Sequence, residues 1–382
     1  MLENRLASEA FSIFCKAASS VSNPAIEAWR SQGGKVIGYL CSAFPEEIGT
    51  AAGILPVRLR APGSRSTELS DSFLSPLNCS FPRHVFNMAL SGEYHFIDGM
   101  VIFNSCDHIR RVYDHWIRQL DTPFVEILSW PKKAQAEQVE WFRGEFDRLR
   151  TGIEKHFGVE IREDALQQAI ALHNKGRRLL REIYALRKSD SPPITGAEML
   201  TLTVASTAMP QAIYNERLEE LLAELKSAEG ITGYRARVML LGGELDNPEL
   251  VDAIESQGAL VVTDSLCFGS RLLWTNVEED TDDPLLALAR YYLADRPACA
   301  RMFTEYDRRA EYIRQMLAEF KVDGAIFERL AFCELYGFEQ FSLTSDFEEW
   351  NVPLLSMDRD YTLSALGQLR TRVQAFLEKM ES

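Results

Sequence analysis

The chain has 382 residues, 46% of them hydrophobic and 25% charged, the makeup of a globular protein too long for one ordinary core. A net charge of −15 excludes the basic footprint of a nucleic-acid binder. No apolar run approaches the roughly 20 residues of a membrane helix, and Glu3, Arg5 and Glu9 interrupt the N-terminus before a signal-peptide core can form, so a cytoplasmic protein with no nucleic-acid or membrane partner is expected.

Taken in chain order, the pattern falls into three stretches. Residues 1–133 alternate short apolar runs with helical periods. Lys35 to Leu40 reads as a strand, followed by a first helical turn at Pro45-Glu46-Glu47-Ile48. Gly99 to Asn104 is a second buried strand, with a helical pattern over 109–120, and Phe124 to Leu128 is a third, closed by Pro131. Residues 134–232 carry long 3.6-residue periods over 141–157 and 166–187, broken at Ser191-Pro192-Pro193 and at Pro210. This stretch is predicted to be helical. Residues 233–382 return to strands at 237–241, 260–264, 324–327 and 352–356, with helical patterns over 247–257 and 308–320 between them. Strands alternating with helices predict parallel sheets. The expected fold is therefore α/β: two doubly wound, flavodoxin-like, mostly parallel-sheet domains with an intervening helical segment.

Seven cysteines, an odd number, read as reduced thiols rather than a disulfide framework. Their positions on the predicted elements carry information. Cys41 follows the first strand directly, and Cys106 follows the strand that ends near Asn104. Cys267 lies just past Asp264, and Cys333 just past the run that ends at Leu330. Ligands of open α/β sheets bind outside the carboxyl ends of the strands. Cys79 precedes a helical pattern, where a helix N-terminus favours a thiolate. Thiolates are iron–sulfur ligands, although no ferredoxin spacing occurs here. Spacing alone leaves buried structural thiols as the competing reading. Cys15, in an N-terminal helical pattern, reads as core, and Cys299, after Pro297, reads as structural.

The residues around these cysteines add a resemblance. Gly38-Tyr39-Leu40-Cys41-Ser42-Ala43-Phe44-Pro45-Glu46-Glu47-Ile48, continuing through Ala51-Ala52-Gly53-Ile54-Leu55-Pro56-Val57, resembles the opening signature of the benzoyl-CoA reductase / 2-hydroxyacyl-CoA dehydratase family. Asn78-Cys79-Ser80, Asn104-Ser105-Cys106-Asp107 and Ala331-Phe332-Cys333-Glu334 look like its cluster-ligand motifs. Pro192 to Gly196, Asp264 to Arg271 and Gly367 to Phe376 are further matches, in the right order along nearly the whole chain.

The resemblance implies a 4Fe–4S cluster held by Cys79, Cys106 and Cys333. It implies a heterodimer with a related cluster-binding subunit, and an acyl- or aryl-CoA thioester as substrate. It also implies low-potential electrons from a separate ATP-hydrolysing activator, in accord with the lack of a Gly-x-x-x-x-Gly-Lys-Ser/Thr phosphate loop in this chain. Likeness to the small cluster-binding chain of benzoyl-CoA reductase favours one-electron dearomatisation of an aryl-CoA. A radical 2-hydroxyacyl-CoA dehydratase subunit is one alternative. The other is an electron-transfer or reductase protein with a double-cubane cluster, in which a sulfide joins two cubanes, that does not act on CoA esters. Cys41 and Cys267 are the candidate extra ligands for the larger cluster, with Cys299 a poorer one.

Three polar residues are candidates for catalysis. Glu47 could serve as acid or base near Cys41, or else stabilise a helix dipole. Ser42 could donate to a thioester carbonyl or cap that helix. His108, like His84, could donate protons, or be an ordinary hydrogen-bonded histidine. Asp107 is expected to cap the helix after Cys106, and Arg83 and Arg271 to be solvated or to meet coenzyme A phosphates.

Overall fold

The computed structural model describes residues 6, 8–364 and 366–381; Glu3 and Arg5 of the N-terminal reading lie outside them. Eight strands build two separate four-stranded sheets. The first holds β1 (Lys35–Leu40), β2 (Ile54–Arg58), β3 (Gly99–Asn104) and β4 (Phe124–Ser129) in the order β2-β1-β3-β4. The second holds β5 (Ala236–Gly242), β6 (Ala259–Ser265), β7 (Gly324–Leu330) and β8 (Leu354–Arg359) in the order β6-β5-β7-β8. Every pairing is parallel, and the two orders repeat one plan. This is the α/β architecture with two parallel sheets expected from the alternation of strands and helices.

The inner strands β1, β3 and β5 are buried on both faces because helices cover both sides, whereas the edge strands β4 and β8 are only partly covered. In β1, Val36 and Leu40 pack with the helices Ser80–Leu90 and Asp107–Gln119, while Ile37 and Tyr39 face the helix Ala136–Phe157. The strand β2 is not among the predicted strands. Pro56 lies inside it, and proline has no N–H for a ladder. The sheet tolerates it because β2 is an edge strand, and the Pro56 position pairs with Ile37 on one side only.

The predicted helical stretch contains Ala136–Phe157, Glu163–Leu186, Gly196–Ala205 and Gln211–Leu225. Its breaks fall at Pro192-Pro193 and Pro210, as the sequence indicates. Thr195 caps the third helix in a reciprocal box with Glu198. Divisions after residues 133 and 232 are proposed as unit boundaries; they fall in connections between helices and strands. The first helix, Glu9–Ser19, crosses them: Phe11 and Phe14 share a core with Tyr214 of the helical stretch and with Met239 and Phe327 of the second sheet.

The two sheets are joined by buried polar contacts at their carboxyl ends. Arg58, at the end of β2, grips both carboxylate oxygens of Glu244 at 2.9 Å and donates to the Cys267 carbonyl at 2.8 Å. Tyr361 accepts from the Ala61 N–H and donates to Asp246 at 2.6 Å. Within the second unit, Arg359 ties Glu328 to the Glu244 carbonyl. Between these, β5 ends at Gly242, with φ of 153°, where an added Cβ would lie 2.4 Å from the Glu328 carbonyl oxygen. Neither strand can retreat without breaking its ladder. Gly242→Ala is therefore expected to destabilise the protein by about 3 kcal/mol, read as a lower denaturant midpoint at unchanged m; an unchanged midpoint would show that this end of β5 is slack.

Candidate metal centre

The carboxyl ends of both sheets converge on one cavity of about 870 Å³, including its open mouth. Cys41 and Ser42 reach it from the end of β1, Ser105 and Cys106 from β3, and Trp130 from β4. Gly243 and Glu244 come from β5, Cys267 from β6, and Leu330 and Cys333 from β7. Cys79 and Cys299 complete the lining thiols, so six of the seven cysteines border one space. The seventh, Cys15, packs beside the core of the second unit, as expected.

Three of the cysteines share a local geometry. Cys79 precedes the helix Ser80–Leu90, Cys106 the helix Asp107–Gln119, and Cys333 the helix Glu334–Glu349, each as the N-cap residue. Three helix N-termini thus meet at the cavity with unpaired N–H groups and positive dipole ends. The Cys106 sulfur accepts from the Ile109 N–H at 3.5 Å, so this thiol does the capping that the sequence assigns to Asp107. Asp107 instead pairs with Arg110 at the surface. The proximity of Cys79 and Cys333 holds Cys79 well above the usual thiol range, with burial adding to the rise, and draws Cys333 below it against the opposing effect of burial. Burial pushes Cys106 up to about 12 and raises Cys41 and Cys267.

The other three thiols, Cys41, Cys267 and Cys299, line the same cavity without capping a helix. Cys41 adopts a positive φ of 80° directly after β1, and Phe332, next to Cys333, one of 63°. Such backbone is costly for residues with a Cβ, and here it turns both chain segments at the cavity rim. Cys267 receives a 2.6 Å contact from the Arg271 guanidinium and lies 3.5 Å from the Tyr336 hydroxyl. Arg271 is therefore neither solvated nor free for a coenzyme A phosphate; only 7% of it is exposed. Arg83 is tied to Asp71.

The remaining candidates separate. Ser42 and His108 line the cavity, and His108 accepts from the Cys79 N–H through Nδ1 at 3.2 Å. His84 contacts Ser64 and the Tyr361 ring instead. Glu47 is fully buried, held by Arg177 at 2.5 Å and by the Tyr292 hydroxyl at 2.9 Å, and is not among the residues bordering the cavity. Burial opposes its charge, but Arg177 and His173 outweigh it and keep its carboxyl below the usual range. Sequence reasoning gave Cys299 only as a poorer candidate ligand, because it follows no strand, and it missed Trp130, Glu244 and Arg301 altogether.

The donor set suits an iron–sulfur cluster: soft thiols, apolar walls from Phe81, Ile109 and Leu330, and helix N-termini that favour negative charge. Among the described residues no three His, Cys, Asp or Glu side chains are gathered as a site for one ion. The thiolates of a cubane bind separate irons and so stand farther apart than ligands sharing a single ion.

Comparison with known proteins decides the family. The model of the family described as "2-hydroxyglutaryl-CoA dehydratase, D-component" matches residues 41–380. The chain belongs to this family. YjiM of Escherichia coli K12, named as a candidate dehydratase subunit, is 29% identical over 92% of this chain and 93% of its own. A benzoyl-CoA reductase subunit from Thauera aromatica is 25% identical over 91% of each chain. The (R)-phenyllactyl-CoA dehydratase beta subunit of Clostridium sporogenes is 26% identical over 91% of this chain and 92% of its own. Members of the dehydratase family thus include subunits of both reductases and dehydratases. No helix among the described residues is long and apolar enough to cross a membrane.

The polar cluster behind the cavity makes two expectations testable. Removing Glu47 leaves Arg177 buried beside Tyr291 and Tyr292 without its carboxylate, so Glu47→Ala should cost about 3–5 kcal/mol in denaturant unfolding. A near-neutral variant would free Glu47 for a chemical role. His173, bonded to Thr50 at 2.9 Å, is pushed down to about 4 by burial. Its folded value lies below the ordinary one, so its contribution is full above pH 6.5 and is lost as pH falls through 4, about 3 kcal/mol in all. Glu46, raised to about 7 by burial, has the opposite sign: its contribution is full below its ordinary value of 4.5 and fades as pH rises through 7. His173→Gln should flatten the acid limb of stability against pH between 6.5 and 4; an unchanged limb would place its origin elsewhere.

Proposed function

We propose that the chain is the iron–sulfur subunit of a low-potential reductase whose cavity holds a double-cubane cluster. The supporting observation is the pooling of six thiols around one space. Cys79, Cys106 and Cys333 form one set as the three helix N-caps, and Cys106 also lies in electrostatic reach of Cys41. Cys41, Cys267 and Cys299 form the other, with Cys299 in electrostatic reach of both partners. One cubane with an open fourth iron needs only the first set. Two cubanes joined by sulfide need three thiolates each.

The cluster would supply single electrons at low potential. The chain's own residues hold it, shield it from water and oxygen with apolar walls, and offset its charge. Electrons would come from a separate ATP-hydrolysing activator, since this sequence carries no phosphate loop of its own. A related partner chain completes the assembly in this reading. Phe338 and Phe341, on the helix that begins at Cys333, are exposed and suit such a contact.

Dearomatisation of an aryl-CoA keeps one observation in its favour: the apolar walls, with Trp130 and Phe81, suit an aromatic ring. In that reading Ser42 and His108 remain the residues nearest the substrate, and Cys41 and Cys267 pack without metal. Elimination from a 2-hydroxyacyl-CoA is the third possibility.

Iron and acid-labile sulfide on anaerobically purified protein separate these readings. The double-cubane reading predicts about eight irons per chain, with loss of iron in Cys41→Ala, Cys267→Ala and Cys299→Ala as well as in Cys79→Ala, Cys106→Ala and Cys333→Ala. About four irons, lost only in the last three, would favour the thioester reaction, and product analysis with benzoyl-CoA and with a 2-hydroxyacyl-CoA would then decide which.

A further inference from the structure

Arg301 and Trp130 form an unusual pair on the cavity wall. Both are buried, Arg301 with 7% of its surface exposed and Trp130 with 3%. Two of the three guanidinium nitrogens are fixed: Nη1 donates to the Pro131 carbonyl at 2.8 Å and Nη2 to the Asn104 carbonyl at 3.0 Å. The guanidinium stands 5.1 Å from the centre of the Trp130 ring. The third nitrogen, Nε, has no partner, and neither has the indole Nε1 of Trp130. Among the described residues no carboxylate forms a salt bridge with Arg301. The titratable groups in electrostatic reach of it are the thiols of Cys299, Cys41 and Cys106.

A buried cation without a counter-ion and two buried donors without acceptors are both costly, and folded proteins rarely keep them idle. Arg58, Arg177 and Arg309 are matched with Glu244, Glu47 and Glu339, whereas Arg187, Arg237 and Arg296 donate only to carbonyl or hydroxyl oxygens; Arg301 differs from all of these in bordering the thiol-lined cavity. Arg301 is held by two backbone carbonyls and borders the cavity together with the thiols. The missing acceptor is an anion in the cavity, and the anion that the six thiols would hold is the cluster.

We propose that Arg301 and Trp130 are positioning residues that donate to the sulfur atoms of the bound cluster and set its reduction potential. This rests on the cluster reading above. Reduction adds one electron to the cluster and takes none from the protein, so the cluster becomes more negative. A fixed cation and two donors stabilise that reduced form more than the oxidised one. The pair therefore raises the potential at which the cluster accepts its electron, easing delivery from the activator.

The test is a redox titration of the intact anaerobic protein with titanium(III) citrate, followed by electron paramagnetic resonance. At a fixed potential, Arg301→Gln should lower the ratio of reduced to oxidised cluster about tenfold, a shift of about 59 mV to more negative values for one electron. Arg301→Lys keeps the charge and should recover part of the shift. Trp130→Phe, which removes one donor and keeps the packing, should shift the ratio about threefold in the same direction. An unchanged potential in Arg301→Gln at wild-type iron content would overturn the inference. If Arg301→Gln fails to fold or loses its iron, Trp130→Phe decides, and an unmoved potential there overturns it equally. Wild-type protein without iron would instead overturn the cluster reading itself.

Discussion

Everything in this structure turns on how negative charge is tolerated inside a buried, thiol-lined space. Six sulfur atoms border the cavity, and each ionised ligand placed there would be expensive in an apolar setting. The fold offsets that cost with fixed positive groups. Three helix N-termini end on Cys79, Cys106 and Cys333, and three guanidinium groups, those of Arg58, Arg271 and Arg301, stand around Cys267 and Cys299. An anionic occupant would add to the partners these groups already have, Glu244 for Arg58 and Cys267 for Arg271. With one, they become its solvation shell, already oriented and requiring little rearrangement as charge is added.

The repeated sheet plan explains how one chain can assemble so many ligands. A parallel sheet sends the loops that follow its strands to one end, and two such sheets with matching strand order can face each other there. The buried bonds of Arg58 and Tyr361 fix the two units at that meeting point, while Arg359 and Gly242 hold β5 and β7 close within the second sheet. A cluster bridging the units would be shielded on both sides. The polar group formed by Glu46, Glu47, His173 and Arg177 lies behind this junction, where it braces the helix Glu46–Ala51 against Glu163–Leu186.

Much of this was legible in the sequence, for physical reasons. Strands covered by helices read as apolar runs, and seven of the eight were found that way. The exception, β2, is short and contains Pro56, which argues against a strand unless the edge position is known. Cys41, Cys106, Cys267 and Cys333 were recognisable because a residue placed just after a parallel strand arrives at the ligand-binding end. Cys299 was legible only as a poorer candidate, and Arg301 not at all. They follow the segment Tyr291–Asp295, away from any strand end, and reach the cavity only through tertiary packing. Glu47 showed the converse: its neighbourhood to Cys41 in sequence suggested chemistry, yet the helix that carries it turns its carboxylate toward Arg177.

The most direct test of the account is where iron sits. Crystals of anaerobically purified protein, measured with X-rays at the iron absorption edge, should show anomalous density filling the cavity among all six thiols, Cys79, Cys106 and Cys333 together with Cys41, Cys267 and Cys299. Density confined to the first three thiols would reduce the site to a single cubane, and density outside the cavity, or none in fully folded anaerobic protein, would contradict the claim that this fold was built around an anionic cluster.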